Sequence, residues 1–417
     1  MLKVRTVTTG LFAAVYTLAL TAGIAAPVSA EEGVTDTEVL LGGTHPYSGP
    51  ASAYGAVGKG ALAYFSYVND HGGVNGRKIT YKDLDDSYSP PQAVQDVRQL
   101  VEQDKVFAIF CTLGTAVNMA IRPYLNQQQI PQLFVATGAS TWAHDYKQYP
   151  YTIGWQPDYQ SEAIIYSQYI LKEKPNAKIA VIYQNDDFGL DYVTGLKTGL
   201  GSHAGQIVKM ATYEVSDPDV SSQIANLKAS GADTILIAAT PKFAIQSLVA
   251  IAQQSWKPLV ILSNVSASSS VMRAANKAGG PAATTGVVTT LYGKDPADPK
   301  WANDTGMKLY KEAMAKYNPG ADATNGIYAI GFAYAFTMVD TLKQAGKNLT
   351  RAKVMDVVNH LNETDNPLLL PGIAVKTTPS NHFTMTQEQL QTYGENGEWH
   401  PFGGLIDARP YIKEEKG

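Results

Sequence analysis

Residues 178–200, KIAVIYQNDDFGLDYVTGLKTGL, change character part-way along. The first seven, KIAVIYQ, are an apolar, β-branched run of strand length, and the stretch from 187 to 200 reads as a helix. A strand that feeds straight into a helix is half of a unit whose strands lie parallel, with helices crossing over between them. The pattern continues on both sides. Downstream come strand QIVKMATY (206–213), helix 219–230, strand DTILIAA (233–239), helix 241–254 and strand PLVIL (258–262). Upstream, YTIGW (151–155) and helix 159–173 lead into it.

An earlier run has the same rhythm. Strand TEVLLGGTH (37–45) precedes helix AYGAVGKGALAYFSYVNDHGG (53–73), which ends on the stop signal Gly72-Gly73, and strand RKITYKDLDD (77–86) follows. Helix 90–103 opens on Pro90-Pro91, suited to a first turn, and strand 106–111, helix 116–128 and strand 131–136 complete the run. Two such runs in 417 residues, more than one ordinary core takes in, predict an α/β protein of two doubly wound lobes with parallel central sheets. Strand GVVTTLY (286–292), helices near 300–317, 324–346 and 350–361, and a turn-rich β tail from about 372 come last. The expected division is 31–157 plus 288–371 for the first lobe and 158–287 plus 372–417 for the second.

Lys3 and Arg5, an apolar stretch from Leu11 to Ala26 and the small residues Val28-Ser29-Ala30 read as a secretory signal peptide over 1–30, so an exported protein is expected. A formal charge of -4 without a basic cluster argues against a nucleic-acid partner. The single Cys111 cannot form a disulfide within the chain, and at the end of VFAIFC it reads as a small buried hydrophobe.

Enzyme signatures are missing: there is no GxSxG, HExxH or CxxC, and the histidines lack metal spacing. No cofactor and no catalytic residue is expected. GAVGKGA (55–61) lacks the spacing and the Ser/Thr of a phosphate loop and falls inside a predicted helix. The acid pairs Asp85-Asp86 and Asp186-Asp187 read as caps or solvated groups, although Asp187 stays a candidate because it precedes Phe188-Gly189 at a strand's carboxyl end. Open parallel sheets bind ligands beyond the carboxyl ends of their strands. The turns to inspect are therefore THPYSGPASAYG (44–55), CTLGTA (111–116), VATGAS (135–140), QNDDFGLD (184–191), AATPKF (238–243) and LSNVSAS (262–268).

Several of these stretches recur together in one family. THPYSGPASAYG, GGVNGRKI, YSPPQAVQDVRQLVEQDKV, IPQLFVATGAS and NDDFGLDY, in this order, resemble the periplasmic solute-binding proteins of ABC importers, of the type that includes the branched-chain amino acid (Leu/Ile/Val) binding proteins and an aromatic-acid-binding branch. The resemblance implies a type I flytrap fold whose lobes, joined by several crossovers, close on a small molecule and present it to a membrane permease. A monomer in the periplasm is expected. It also implies a ligand carboxylate held by Gly114 and Thr115 and by Gly138 and Ser140, with Tyr54, Phe188 and Tyr159 as aromatic walls and Thr240 and Val265 as second-lobe contacts. Helix starts with hydroxyls suit an anion for independent reasons, since their N–H groups are unpaired and the dipole is favourable. The departure lies in LSNVSAS, where amino-acid binders carry an acid for the ligand's ammonium: here the turn offers Asn264 and Val265, and no carboxylate follows until Asp295. An unpaired buried ammonium is costly, so the expected ligand is an aromatic or aliphatic carboxylic acid without an α-amino group. The alternatives are an amino acid, with Asp187 supplying the charge, and a receptor ectodomain; a secreted hydrolase is the enzyme alternative.

Overall fold

The computed structural model describes residues 1–4, 6 and 31–411. The export segment expected over 1–30 falls, apart from its first residues, outside the described residues.

The first run gives β1 (Glu38–His45), α1 (Gly55–Asp70), β2 (Lys78–Asp85), α2 (Pro90–Arg98), β3 (Ala108–Phe110), α3 (Thr115–Gln127), β4 (Gln132–Val135), α4 (Thr141–His144) and β5 (Thr152–Gly154). The second gives α5 (Tyr159–Glu173), β6 (Ile179–Gln184), α6 (Asp187–Leu200), β7 (Ile207–Tyr213), α7 (Ser221–Ala229), β8 (Thr234–Ala238), α8 (Pro241–Gln253), β9 (Leu259–Leu262), α9 (Ser269–Gly279) and β10 (Val288–Leu291). The remainder is α10 (Thr305–Tyr317), α11 (Gly326–Ala345), α12 (Arg351–Val358), β11 (Asn362–Glu363), β12 (Val375–Lys376), β13 (Gln387–Tyr393) and β14 (Trp399–Asp407).

Two large sheets result, with a small antiparallel pair β11-β12 apart from them. The first, β2-β1-β3-β4-β5, is parallel throughout. The second, β14-β13-β10-β9-β8-β6-β7, is parallel from β7 to β10 and antiparallel at β13 and β14. Each sheet carries a core on both faces: Phe65, Phe110 and Phe332 on one face of the first and Val97, Ile109 and Ile121 on the other. In the second sheet Ile235 and Ile237 face one way, Val181 and Leu236 the other. That is the doubly wound arrangement the alternation predicts.

Helix starts follow from local chemistry. Side-chain oxygens of Ser89, Asp158, Asp186 and Asn325 accept backbone N–H groups of the first turns of α2, α5, α6 and α11, which satisfies donors the helix itself leaves open. The glycines of GAVGKGA serve packing: a Cβ on Gly60 would stand 2.0 Å from the Tyr328 carbonyl and one on Gly331 1.9 Å from that of Val57, so α1 and α11 lie backbone to backbone.

Two expectations change, and one helix is added. Val288–Leu291 does not begin a return to the first lobe; it pairs with β9 and β13 inside the second sheet, and the crossover follows it. Residues from 372 do not all join the second lobe. Ile373, Val375 and Met385 belong to the first-lobe core and Thr384 donates to the Trp155 carbonyl at 2.6 Å, so only β13 and β14 cross over. The turn LSNVSAS stands as expected, but the helix after it, α9, was not anticipated; Ser268 at the end of the turn is its N-cap. The chain thus passes between lobes three times among the described residues, after β5, after β10 and before β13. No helix among the described residues is long and apolar enough to cross a membrane.

Candidate functional site

Both parallel sheets have the same order, with the first strand between the second and third: β2-β1-β3 and β7-β6-β8. Connections leave β1 and β3, and likewise β6 and β8, toward opposite faces, which opens a crevice at the carboxyl ends. The two crevices share one cavity of about 150 Å³. Tyr54, Gly114 and Thr115 from the first lobe line it, as do Tyr159, Phe188, Thr240 and Val265 from the second.

The turn after β3 is built for close approach. Gly114 has φ of 102°, and a Cβ there would fall 2.5 Å from the Tyr88 ring, so both the backbone and the packing require glycine. Its own N–H bonds to the Ala136 carbonyl at 3.3 Å, and the hydrogen-bond ladder of α3 begins only with Asn118 N–H to Gly114 O at 3.0 Å. The N–H groups of Thr115, Ala116 and Val117 therefore precede the ladder and are the donors of this turn. The Thr115 hydroxyl lies 2.5 Å from that of Thr137, which lies 3.2 Å from the Tyr159 hydroxyl, a short polar chain from one lobe to the other.

Gly138, Ser140 and Asp187 are not brought to the cavity. The Asp191 carboxylate of α6 accepts both the Ser140 N–H (2.7 Å) and the Ser140 hydroxyl (2.9 Å), so those donors are taken by the protein itself. Gly138 packs beneath Tyr159, where a Cβ would meet the Pro157 carbonyl at 2.4 Å and the ring at 2.8 Å. Asp187 is exposed on the first turn of α6; the more buried acid of that pair is Asp186, which caps the helix. Of the donors the resemblance implies for a ligand carboxylate, only Gly114 and Thr115 at the α3 start line the cavity, and Asp187 is outside its lining.

The aromatic wall is larger than the sequence indicated. Tyr159 stacks with Tyr192 at 5.1 Å between centroids and meets Phe188 edge-on at 5.0 Å. Tyr54 donates from its hydroxyl to the Val265 carbonyl across the lobes at 3.0 Å, and Val265 packs against the cores of both. Tyr88, Tyr292, Tyr334 and Trp399 join this wall, unheralded by any motif. Burial pushes the Tyr54, Tyr88 and Tyr159 phenols up, so the wall is neutral. Thr240 is held from behind, its N–H bonded to the Tyr213 hydroxyl at 3.0 Å.

Two charged residues also line the cavity: Lys294 and Asp295, on the crossover after β10. The Lys294 ammonium is bound to Asp304 and to the Pro367 carbonyl, both at 2.8 Å. Asp295 accepts from the Ser269 hydroxyl at 2.5 Å and the Ala297 N–H at 2.9 Å, and its carboxyl pKa is raised by burial. Among the described residues no group of three His, Cys, Asp or Glu side chains is arranged to hold a metal.

Comparison with known proteins agrees with this architecture. The chain is 27% identical over 330 residues to Leu/Ile/Val-binding protein homolog 1 of Brucella abortus (strain 2308), covering 79% of this chain and 83% of that one. It spans about half, 53%, of Leu/Ile/Val-binding protein homolog 3 of Brucella melitensis biotype 1, at 27% identity over 201 residues. Among solved structures it resembles a branched-chain amino acid ABC transporter protein of Thermus thermophilus with bound valine (TM-score 0.78, 16% identity, 90% of this chain and 97% of that one). It also resembles a fatty acid ABC transporter substrate-binding protein of Thermomonospora curvata (TM-score 0.73, 21% identity, 91% and 95%). At those identities the structures speak for the fold. The sequence profile described as periplasmic binding protein matches residues 38–397, nearly the whole folded chain, and the protein belongs to that family.

Proposed function

We propose that this chain is the substrate-binding subunit of an ABC importer and that its ligand is a small carboxylic acid without an α-amino group, aromatic or aliphatic. The observation that carries the reading is the start of α3. Thr115, whose N–H precedes the helix ladder and whose side chain carries a hydroxyl, lies with Gly114 at the wall of a cavity that is otherwise mostly neutral and aromatic. An anion placed there gains donors and a favourable dipole without a counter-charge. Valine and fatty acids, the ligand classes named for two structural relatives, share a carboxylate and little else. A cavity near 150 Å³ takes a ring of benzene size.

Binding is capture, with no bond made or broken. The ligand first meets one lobe, and closure adds the other, with the bond from Tyr54 to Val265 formed across the gap. On this reading the protein works in the periplasm after removal of residues 1–30, as a monomer, and hands its ligand to a membrane permease. A second reading, an amino acid ligand, is favoured by one observation: Asp295 puts a carboxylate in the wall that LSNVSAS lacks.

The test is ligand-induced thermal stabilisation with benzoate, 3-phenylpropanoate, hexanoate, valine and leucine. A ligand at 100 times its Kd stabilises by about 2.7 kcal/mol. Stabilisation by one of the first three, weakened roughly ten-fold or more in affinity by Thr115→Val, is expected, because a hydrogen bond to a charged group contributes about 1.5–3 kcal/mol. Stabilisation by valine or leucine alone refutes the ligand class, and turnover of any compound refutes the binding-only role.

A further inference from the structure

Asp295 stands out among the cavity's polar groups because, among the described residues, it forms no ion pair, and the Arg273 charge acts on it only from a distance. Both cations in its neighbourhood are engaged elsewhere: Lys294 with Asp304 at 2.8 Å, and Arg273 with Asp322 at 3.3 Å. No ion pair among the described residues includes Asp295. A carboxylate offers about four acceptor positions, and the Ser269 hydroxyl and the Ala297 N–H fill two of them. The group lies in the wall of the same cavity as the α3 start, but on a different element, the crossover after β10. A ligand that fills the cavity and shields this carboxylate from water without donating to it leaves a buried charge short of partners, which is costly.

We propose that the ligand carries, besides its carboxylate, an O–H or N–H donor that bonds to Asp295, so that Asp295 determines specificity. This rests on the cavity and the carboxylate seat proposed above. Such a ligand is bipolar, fixed at two points by groups of unlike chemistry, and the aromatic wall packs the part between. The contact also has a conformational side. Asp295 belongs to a crossover and is tied through Ser269 to the first turn of α9 in the second lobe, so a donor on it joins the ligand to the segment that links the lobes.

Two matched sets of acids test this by titration calorimetry on the wild type and on Asp295→Asn. One is benzoate with its 3- and 4-hydroxy and 3- and 4-aminomethyl derivatives; the other is hexanoate with 6-hydroxyhexanoate and 6-aminohexanoate. In the wild type the best donor-bearing member is expected to bind about ten-fold or more tightly than its parent. In Asp295→Asn the advantage of the ammonium member is expected to collapse, and that of the hydroxyl member to shrink less, because the amide oxygen still accepts. Affinity ratios within one protein do not depend on how well the variant folds, so a ratio that collapses in Asp295→Asn reports on the contact itself. Parents that bind as tightly as their derivatives, or ratios unmoved by Asp295→Asn, overturn the inference and leave the proposed function standing. Absence of binding by every acid overturns both.

Discussion

Replacing Glu363 by glutamine tests whether a buried acid beneath the cavity makes this protein sensitive to pH. Glu363 is 3% exposed; its Oε1 accepts from the Thr337 hydroxyl at 2.8 Å and the Asn366 amide at 2.9 Å, while its Oε2 has no partner. Thr337 in turn accepts the Trp155 indole N–H at 2.8 Å, and Trp155 packs at 4.1 Å on Tyr334 of the cavity wall. Burial raises the Glu363 pKa from 4.5 to about 7; the bonds from Asn366 and Thr337 pull it down, and Asp340 and Asp365 push it further up. The folded protein therefore keeps a proton that the unfolded chain releases above pH 4.5. Stability from this group is complete below the unfolded value and is lost as pH rises through the folded one. At about 1.4 kcal/mol per pH unit, the loss reaches about 3 kcal/mol by pH 7. A glutamine side chain in its place keeps the Oε1 acceptor and cannot ionise. Urea unfolding followed by tryptophan fluorescence at pH 5 and pH 8 should show the wild type losing about 2–3 kcal/mol more than the variant between the two. Equal losses in both proteins refute the reasoning.

Two further outcomes follow from the same interior. Glu388, fully buried on β13 with both carboxyl oxygens unpartnered, faces Glu162 and, farther off, Asp158, with the Thr290 hydroxyl near it and no cation among the described residues in its ion-pairing reach; burial and the Glu162 charge raise its pKa. Glu388→Gln should therefore raise Tm at pH 8 and leave it nearly unchanged at pH 5, with about 1.4 kcal/mol of pH dependence removed per unit over which the proton is retained; an equal gain at both pH values speaks against a retained proton. Tyr54→Phe removes a bond made only when the lobes meet. Affinity for the acid that best stabilises the wild type should fall roughly two- to ten-fold, and an unchanged calorimetric Kd contradicts a role for that bond in closure.

Much of the fold is legible because parallel strands and their crossover helices write local signals. Helices 159–173 and 187–200 start where the sequence places them, since Asp158 and Asp186 cap them from the preceding residue. The strand 286–292 was readable as a strand but not as a member of the second sheet: pairing with β9 and β13 is decided by residues about thirty and a hundred positions away. The site divides the same way. Tyr54, Thr115, Phe188, Thr240 and Val265 lie in turns after strands, and topology alone sends those turns to one crevice. Ser140 lies in such a turn too, yet its donors are spent on Asp191, a partner 51 residues later that no local pattern announces. Tyr88, Tyr292, Tyr334 and Trp399 come from separate elements, and only assembled lobes place them on one wall.

The same distinction bears on the ligand. LSNVSAS without an acid speaks against an ammonium only if every contact comes from the strand-end turns. The crossover after β10 is not such a turn, and it brings Asp295 into the wall, held by two hydrogen bonds and in no ion pair among the described residues. The carboxylate seat proposed at the α3 start is little affected by this, since it rests on the local backbone and on Gly114, whose positive φ and contact with Tyr88 require glycine. What Asp295 changes is the other part of the ligand. An acid that ends in hydrocarbon leaves the Asp295 charge unpaired, whereas one that carries a donor satisfies both the seat and the crossover. On the proposed reading the polar groups of the cavity favour a bipolar molecule, and a donor placed at Asp295, rather than the presence of nitrogen, separates a good ligand from a poor one.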